Sequence, residues 1–157
     1  RLDDTTAKAN DSLLSVPTSS VFSQIENYTL QQNVVSYCFH SVEGYSKIGS
    51  YTGNGATSGT AGTYVHLGFR PSFVMLKSTG SGSWWILDST RDPFNEALRA
   101  LQANDPAVET GYSGNFLDFY SNGFAPRTSG TQVNGSGTKY IYMAFADGQP
   151  FKYANAR

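Results

Sequence analysis

The hydrophobic pattern divides the chain into a polar leading part and a longer part of short apolar runs broken by turns. Residues Arg1 to Gln32 are polar and hold the Ser-rich stretch Val16-Pro17-Thr18-Ser19-Ser20, with one edge strand expected near Val21 to Leu30. They read as an extended linker or anchor segment, and residues 33–157 as the folded domain. Within that domain, Val34–Val42 is rich in Val, Tyr and Phe, stops at Glu43-Gly44, and predicts a strand. The Gly- and Ser-rich stretch Tyr51–Thr63 predicts a long surface loop. Tyr64–Phe69 and Phe73–Ser78 predict two strands, parted by Arg70-Pro71 because proline lacks the amide a ladder needs. After the Thr79–Ser83 turn, Trp84–Asp88 predicts another.

Arg91–Asn104 predicts the one helix. Asp92 is placed to accept from first-turn amides, Pro93 to occupy the first helical position, Leu98 and Leu101 to share a face, and Pro106 to stop it. Phe116–Tyr120 and Phe124–Thr128 flank Ser121-Asn122-Gly123, where Asn-Gly predicts a tight hairpin with positive φ. Tyr140–Ala146 alternates Tyr140, Tyr142 and Ala144 against Ile141, Met143 and Phe145, a strand with two distinct faces. Seven or eight short strands at turn-separated intervals predict an all-β fold, an antiparallel β-sandwich or jelly-roll-like domain with one short helix. The run from Val35 to His40 echoes Ile141 to Ala146, which suits strands that are sheet neighbours or the seams of a tandem module.

Composition supports strands over helices. Charged residues are 15% and hydrophobic residues 39%, so Ser, Thr, Asn and Gly take the place of the Lys, Glu, Ala and Leu a bundle requires. Aromatic residues reach 14% and fit pleated, half-buried surfaces. A net charge of −1, without any Lys/Arg cluster, argues against a nucleic-acid partner. No apolar stretch reaches the length that spans a bilayer, so membrane insertion is not expected. The single cysteine, Cys38, excludes an internal disulfide and reads as a small buried hydrophobe.

Candidate chemistry is sparse. His40 and His66 fall in predicted strands and no G-x-S-x-G elbow occurs, so no nucleophilic triad is expected. Two histidines and one cysteine do not make a zinc site, and Asp88, Asp92 and Asp118 lack calcium-loop spacing; no metal and no cofactor is expected. Glu43, Asp88, Glu96, Glu109, Asp118 and Asp147 offer no basis for pairing two as glycosidase carboxylates. Gly53-Asn54-Gly55 lacks the Lys and helix of a phosphate loop, and sequons stand at Asn10, Asn27 and Asn134. The chain reads as a binding or structural module and not an enzyme. Loop-side Tyr, Trp and Asn pair flat apolar faces with adaptable hydrogen bonding, which makes Tyr51, Asn54, Trp84, Tyr112 and Asn115 the ligand-contact candidates. Trp84 and Trp85, as neighbours on one strand, face opposite sides.

Several segments also carry a family likeness: the run from Tyr37 to Lys47, Gly49 to Gly55, Gly68-Phe69-Arg70-Pro71, Phe73 to Lys77, Leu117-Asp118-Phe119, Ser121 to Phe124, Tyr140 to Ala146 and Pro150 to Arg157. In order and spacing these resemble an uncharacterised domain family in structural proteins of tailed phages, especially marine ones, over about three quarters of the chain and leaving out the first 36 residues. The resemblance implies a virion location, a tail-fibre or surface-displayed role, other virion proteins as partners, attachment to a host-surface glycan or receptor, and a homo-oligomer, trimeric by analogy with fibres. It carries over no catalytic residue. The alternative it leaves is a purely structural head-decoration or tail-assembly protein making subunit contacts.

Overall fold

The computed structural model describes residues 5, 18, 37–57, 62–107, 109–111 and 116–147. The chain divides into two compact units, residues 1–7 with 39–157 and residues 8–38. Of the second, Thr18, Tyr37 and Cys38 are described, and all three are exposed. The expected strand at Val21–Leu30 and the start of Val34–Val42 lie outside the described residues.

The larger unit is built of antiparallel strands in two sheets. Those among the described residues are β1 (Ser46–Thr52), β2 (Val65–His66), β3 (Pro71–Ser78), β4 (Trp85–Asp88), β5 (Arg99–Gln102), β6 (Thr110–Gly111), β7 (Leu117–Tyr120), β8 (Gly123–Pro126) and β9 (Lys139–Ala146). One sheet runs β1-β9-β3-β4-β5-β6 and the other β2-β8-β7. The expected all-β antiparallel sandwich is present. β9 sits inside the large sheet, between β1 and β3, and its alternation is complete: Tyr140, Tyr142, Ala144 and Ala146 are buried while Ile141 is exposed. Tyr140 and Tyr142 therefore point inward, and Ile141, Met143 and Phe145 outward.

The core lies between the sheets. Val74, Leu76, Trp85, Leu87, Tyr140 and Tyr142 of the large sheet meet Val65, Leu117, Phe119 and Phe124 of the small one. Phe124 bridges them, edge-on to Tyr51 at 6.0 Å and to Tyr142 at 5.5 Å between ring centroids. Buried tyrosine hydroxyls need partners, and both sheet-end tyrosines use backbone of the 131–135 segment. Tyr51 donates to Val133 O at 2.6 Å, while Tyr140 donates to Thr131 O at 2.7 Å and accepts from Gly135 N at 2.8 Å. Burial pushes all three phenols of this row, Tyr51, Tyr140 and Tyr142, above the usual tyrosine range; the neighbouring Tyr140 adds to the effect at Tyr51.

Four expectations are corrected. Arg91–Asn104 is not a helix. Arg99–Gln102 instead takes the free edge of β4, with Trp85 opposite Gln102 and Ile86 opposite Leu101, and Ala97 bridges to Leu117. Asp92 does not cap a first turn but closes a loop, accepting from Leu98 N at 2.8 Å and Arg99 N at 2.7 Å. Pairing to an available strand edge outweighs the weak local preference for helix. The second correction concerns Val34–Val42: its described part, Tyr37–Ser41, is not strand, and Val42 folds back on Ser46 to begin β1, which takes residues assigned to the loop at Tyr51 and Thr52. Third, Cys38 is exposed, and the described residues around it, Tyr37–Ser41, form no strand.

The fourth correction is the hairpin turn. β7 and β8 pair as expected, but Tyr120 faces Gly123, so Ser121-Asn122 is the central pair and neither residue has positive φ. Gly123 is needed for a different reason. A Cβ there would collide with the backbone O of Val65 and lie 2.8 Å from the Tyr64 hydroxyl.

Candidate functional site

The strands that bury Val65, Phe119 and Phe124 necessarily turn their alternate residues outward. The outer face of the small sheet therefore carries Tyr64 and His66 beside β8, and Asp118 and Tyr120 on β7. Gly123, between them, has no side chain, and the Tyr64 ring fills the gap. Its hydroxyl donates to Asn122 Oδ1, and its ring meets Tyr120 edge-on at 5.8 Å. Both tyrosines remain open to solvent, Tyr64 at 45% and Tyr120 at 37%. His66 is exposed beside them, its ring centroid 6.5 Å from that of Tyr64.

Below the tyrosines lies a charged cluster. Asp118 is only 3% exposed, and its Oδ2 accepts from Arg127 Nη1 at 2.6 Å and from the Tyr120 hydroxyl at 3.0 Å. Arg127 also reaches Glu96 Oε1 at 3.5 Å. Burial first, and the bond to the Asp118 carboxylate second, push the Tyr120 phenol above its ordinary value. Tyr120 thus keeps its proton as a hydrogen-bond donor. Asp118 Oδ1 and Arg127 Nε are buried without a hydrogen-bond partner in the structure.

The rim is held by side chains standing in for backbone. Asn95 pairs with the free edge of β7 like a strand residue, donating to Phe119 O and accepting from Phe119 N, both at 2.9 Å. Leu67 N and Gly68 N donate to Asn122 O at 2.8 and 3.1 Å, fastening the chain after β2 to the hairpin turn. Lys47 of β1 donates to His66 O at 2.8 Å, tying the edges of the two sheets together. The result is a fixed surface with two flat aromatic rings, an amide, an imidazole and an ion cluster of one guanidinium and two carboxylates.

The residues singled out from sequence are not brought together. Tyr51 is a core residue, 8% exposed and stacked on Tyr140 at 5.0 Å. Asn54 is exposed, but its amide forms a reciprocal pair with buried Asn134: Asn54 N donates to Asn134 Oδ1 at 3.1 Å, and Asn134 Nδ2 to Asn54 Oδ1 at 3.2 Å. The same burial closes the Asn134 sequon to any enzyme that would modify it. Trp84 is half-buried and precedes β4, and Trp85, the first residue of β4, is buried against Phe116. Tyr112 and Asn115 lie outside the described residues.

The aspartates weighed for calcium have other partners. Asp88 binds Arg91 Nε at 2.5 Å, Asp92 closes its loop, and Asp118 holds Arg127. Burial raises the Asp88 carboxyl, but the Arg91 and Thr90 hydrogen bonds and the Arg91 charge outweigh it and hold it below the usual range. Among the described residues no three His, Cys, Asp or Glu gather into a metal-holding group.

Tyr64, Tyr120, Asn122 and Arg127 were missed by the sequence reading. The available signal was the alternation Tyr64-Val65-His66-Leu67, which places two large polar-tipped rings opposite two core residues.

The fold is an antiparallel β-sandwich whose small sheet carries a polar-aromatic outer face. The chain belongs to the family described as Domain of unknown function (DUF7483), whose model matches residues 1–150. The match takes in the first 36 residues, which the phage-protein resemblance had left out. No curated protein and no solved structure matches the chain.

Proposed function

We propose that this chain is a non-enzymatic binding module displayed on a phage particle, and that the outer face of its small sheet attaches to a host-surface glycan or receptor. The observation that carries the reading is the pair Tyr64 and Tyr120, exposed, in mutual contact, and held above Asp118, Asn122 and Arg127. Flat rings with hydrogen-bonding tips lose little rotamer freedom when they bind. Fixed polar groups beside them confer orientation. The virion location and the tail-fibre or surface role rest on the resemblance to phage structural proteins.

The test is binding of purified chain to host cells and to host envelope polysaccharide, against a Tyr64→Ala/Tyr120→Ala variant. Wild-type binding that falls at least tenfold in the variant is expected. No wild-type binding, or equal binding by both, overturns the assignment.

A second reading, a head-decoration or tail-assembly protein, is favoured by a different face. Ile48, Met143, Met75, Ile86 and Leu101 form an unbroken apolar row across five strands on the outside of the large sheet. Ile48 and Leu101 at its ends are each 37% exposed, as is neighbouring Ile141 at 40%. Met75 at the middle of the row is only 6% exposed, so the apolar surface open to a partner is at Ile48, Ile141 and Leu101, and such surface marks protein contacts. Locating the chain in the particle by electron microscopy separates fibre tip from capsid lattice.

A further inference from the structure

A cavity of about 220 Å³ opens at one end of the sandwich, away from the tyrosine face. Ser78, Ser81, Gly82, Ser83, Trp85, Thr131 and Gln132 line it. Ser78 and Trp85 belong to the inward faces of β3 and β4, so the cavity is the point where the core ends before the 131–132 segment crosses over it. The lining holds four hydroxyls, one side-chain amide and an indole, and no charged side chain.

That chemistry selects a ligand. A hydroxyl both donates and accepts, as does an amide, so the lining matches a solute whose groups do the same. Ser78 Oγ accepts from Gly80 N at 3.0 Å and Ser83 Oγ from Asn104 Nδ2 at 3.4 Å, which leaves each hydroxyl its proton to donate. Lys77 Nζ donates to Ser78 O and Gly80 O behind the lining, so an ion entering the cavity would give up hydration without meeting a charged side chain of the wall itself. The volume falls below the roughly 300–1,000 Å³ of sites for drug-sized ligands, which fits a single ring and not a chain of them. Trp85, 6% exposed with its ring against Phe116, adds a small apolar patch to the wall for the C–H groups of such a ring.

We propose that this cavity binds a neutral polyhydroxylated ring, a monosaccharide or the terminal residue of a glycan, at a site separate from the Tyr64–Tyr120 face. A ligand of about a dozen heavy atoms at ordinary efficiency gives a dissociation constant on the order of millimolar. The lining side chains are neutral, and the Lys77 ammonium beside them is held by Ser78 O and Gly80 O at 3.0 Å each, so binding depends only weakly on salt.

The test uses the full chain carrying Trp84→Phe, so that tryptophan emission reports Trp85. Glucose, galactose and N-acetylglucosamine are titrated separately, with sodium sulfate as the ionic probe. At least one sugar is expected to change the emission saturably, with no such change on sulfate, and Ser81→Phe in the same background weakens that response at least fivefold. Backbone amide NMR of the unsubstituted chain gives a second readout, with shifts expected at residues 78–85 and 131–132. No saturable response to any sugar up to about a hundred times the expected constant overturns the proposal, as do an equal response to sulfate and shifts confined to Tyr64 and Tyr120. Tyr64→Ala/Tyr120→Ala leaves this binding intact, so failure here and failure of host-cell attachment are read independently.

Discussion

The two outer faces of the sandwich are made by the same strand alternation and yet present opposite chemistry. On the small sheet the outward positions hold Tyr64, His66, Asp118 and Tyr120, with Arg127 and Glu96 completing an ion cluster. On the large sheet they hold Ile48, Met143, Met75, Ile86 and Leu101, with Phe145 packed against Phe73, Tyr45 and Phe39. The difference shows that inward patterning specifies the fold while the outward set is free to specialise. One face is polar and aromatic, the other mainly apolar.

The largest effect that separates them is expected at Arg127. Arg127→Ala leaves the buried Asp118 carboxylate without its cation, and a loss of about 2–3 kcal/mol is expected in urea unfolding. A loss below about 0.5 kcal/mol would mean that the cluster is solvated and that the face is no more rigid than ordinary surface.

Glycine substitutions sharpen the contrast next. At Gly123 a new Cβ meets backbone of β2, which cannot move without breaking the small sheet, whereas at Gly49 of β1 it meets the end of the Tyr142 ring at 2.7 Å. Gly123→Ala is expected to cost about 2 kcal/mol and to displace Tyr64 from Tyr120. Gly49→Ala is expected to cost about 1 kcal/mol, because a side chain yields more readily than a ladder. Equal costs would remove the distinction.

Alkaline titration probes the inner row of tyrosines. Burial raises Tyr51, Tyr140 and Tyr142, so the native state holds protons that the unfolded chain releases near pH 10. Stability is then constant below about pH 10 and falls as pH rises towards the raised native values. Tyr142→Phe is expected to make that fall shallower in urea midpoints measured from pH 8 to 11.

The smallest effect on stability is expected at Ile141, exposed beside the apolar row. Ile141→Lys changes stability by no more than about 0.5 kcal/mol. If the large-sheet face joins subunits, the same substitution lowers the mass measured by light scattering; an unchanged mass favours the tyrosine face as the working surface.

Sequence alone determined the strand-rich class, the β7–β8 hairpin and the two alternating sets of β9, because period-two alternation and turn residues act locally. It also excluded any recognisable spacing for a nucleophile or a metal. The tertiary structure decided the rest. Arg99–Gln102 became a strand because β4 had an open edge, and Ser46–Thr52 became one because β9 needed a neighbour over which Gly49 could lie flat. Tyr51 and Asn54 moved from candidate contacts to internal fastenings once Tyr140 and Asn134, far along the chain, came beside them. Tyr64 and Tyr120, 56 positions apart by subtraction of their numbers, became one surface only through a β-strand that both flank. Contacts of that span depend on which strand edges meet, and no local pattern encodes that choice.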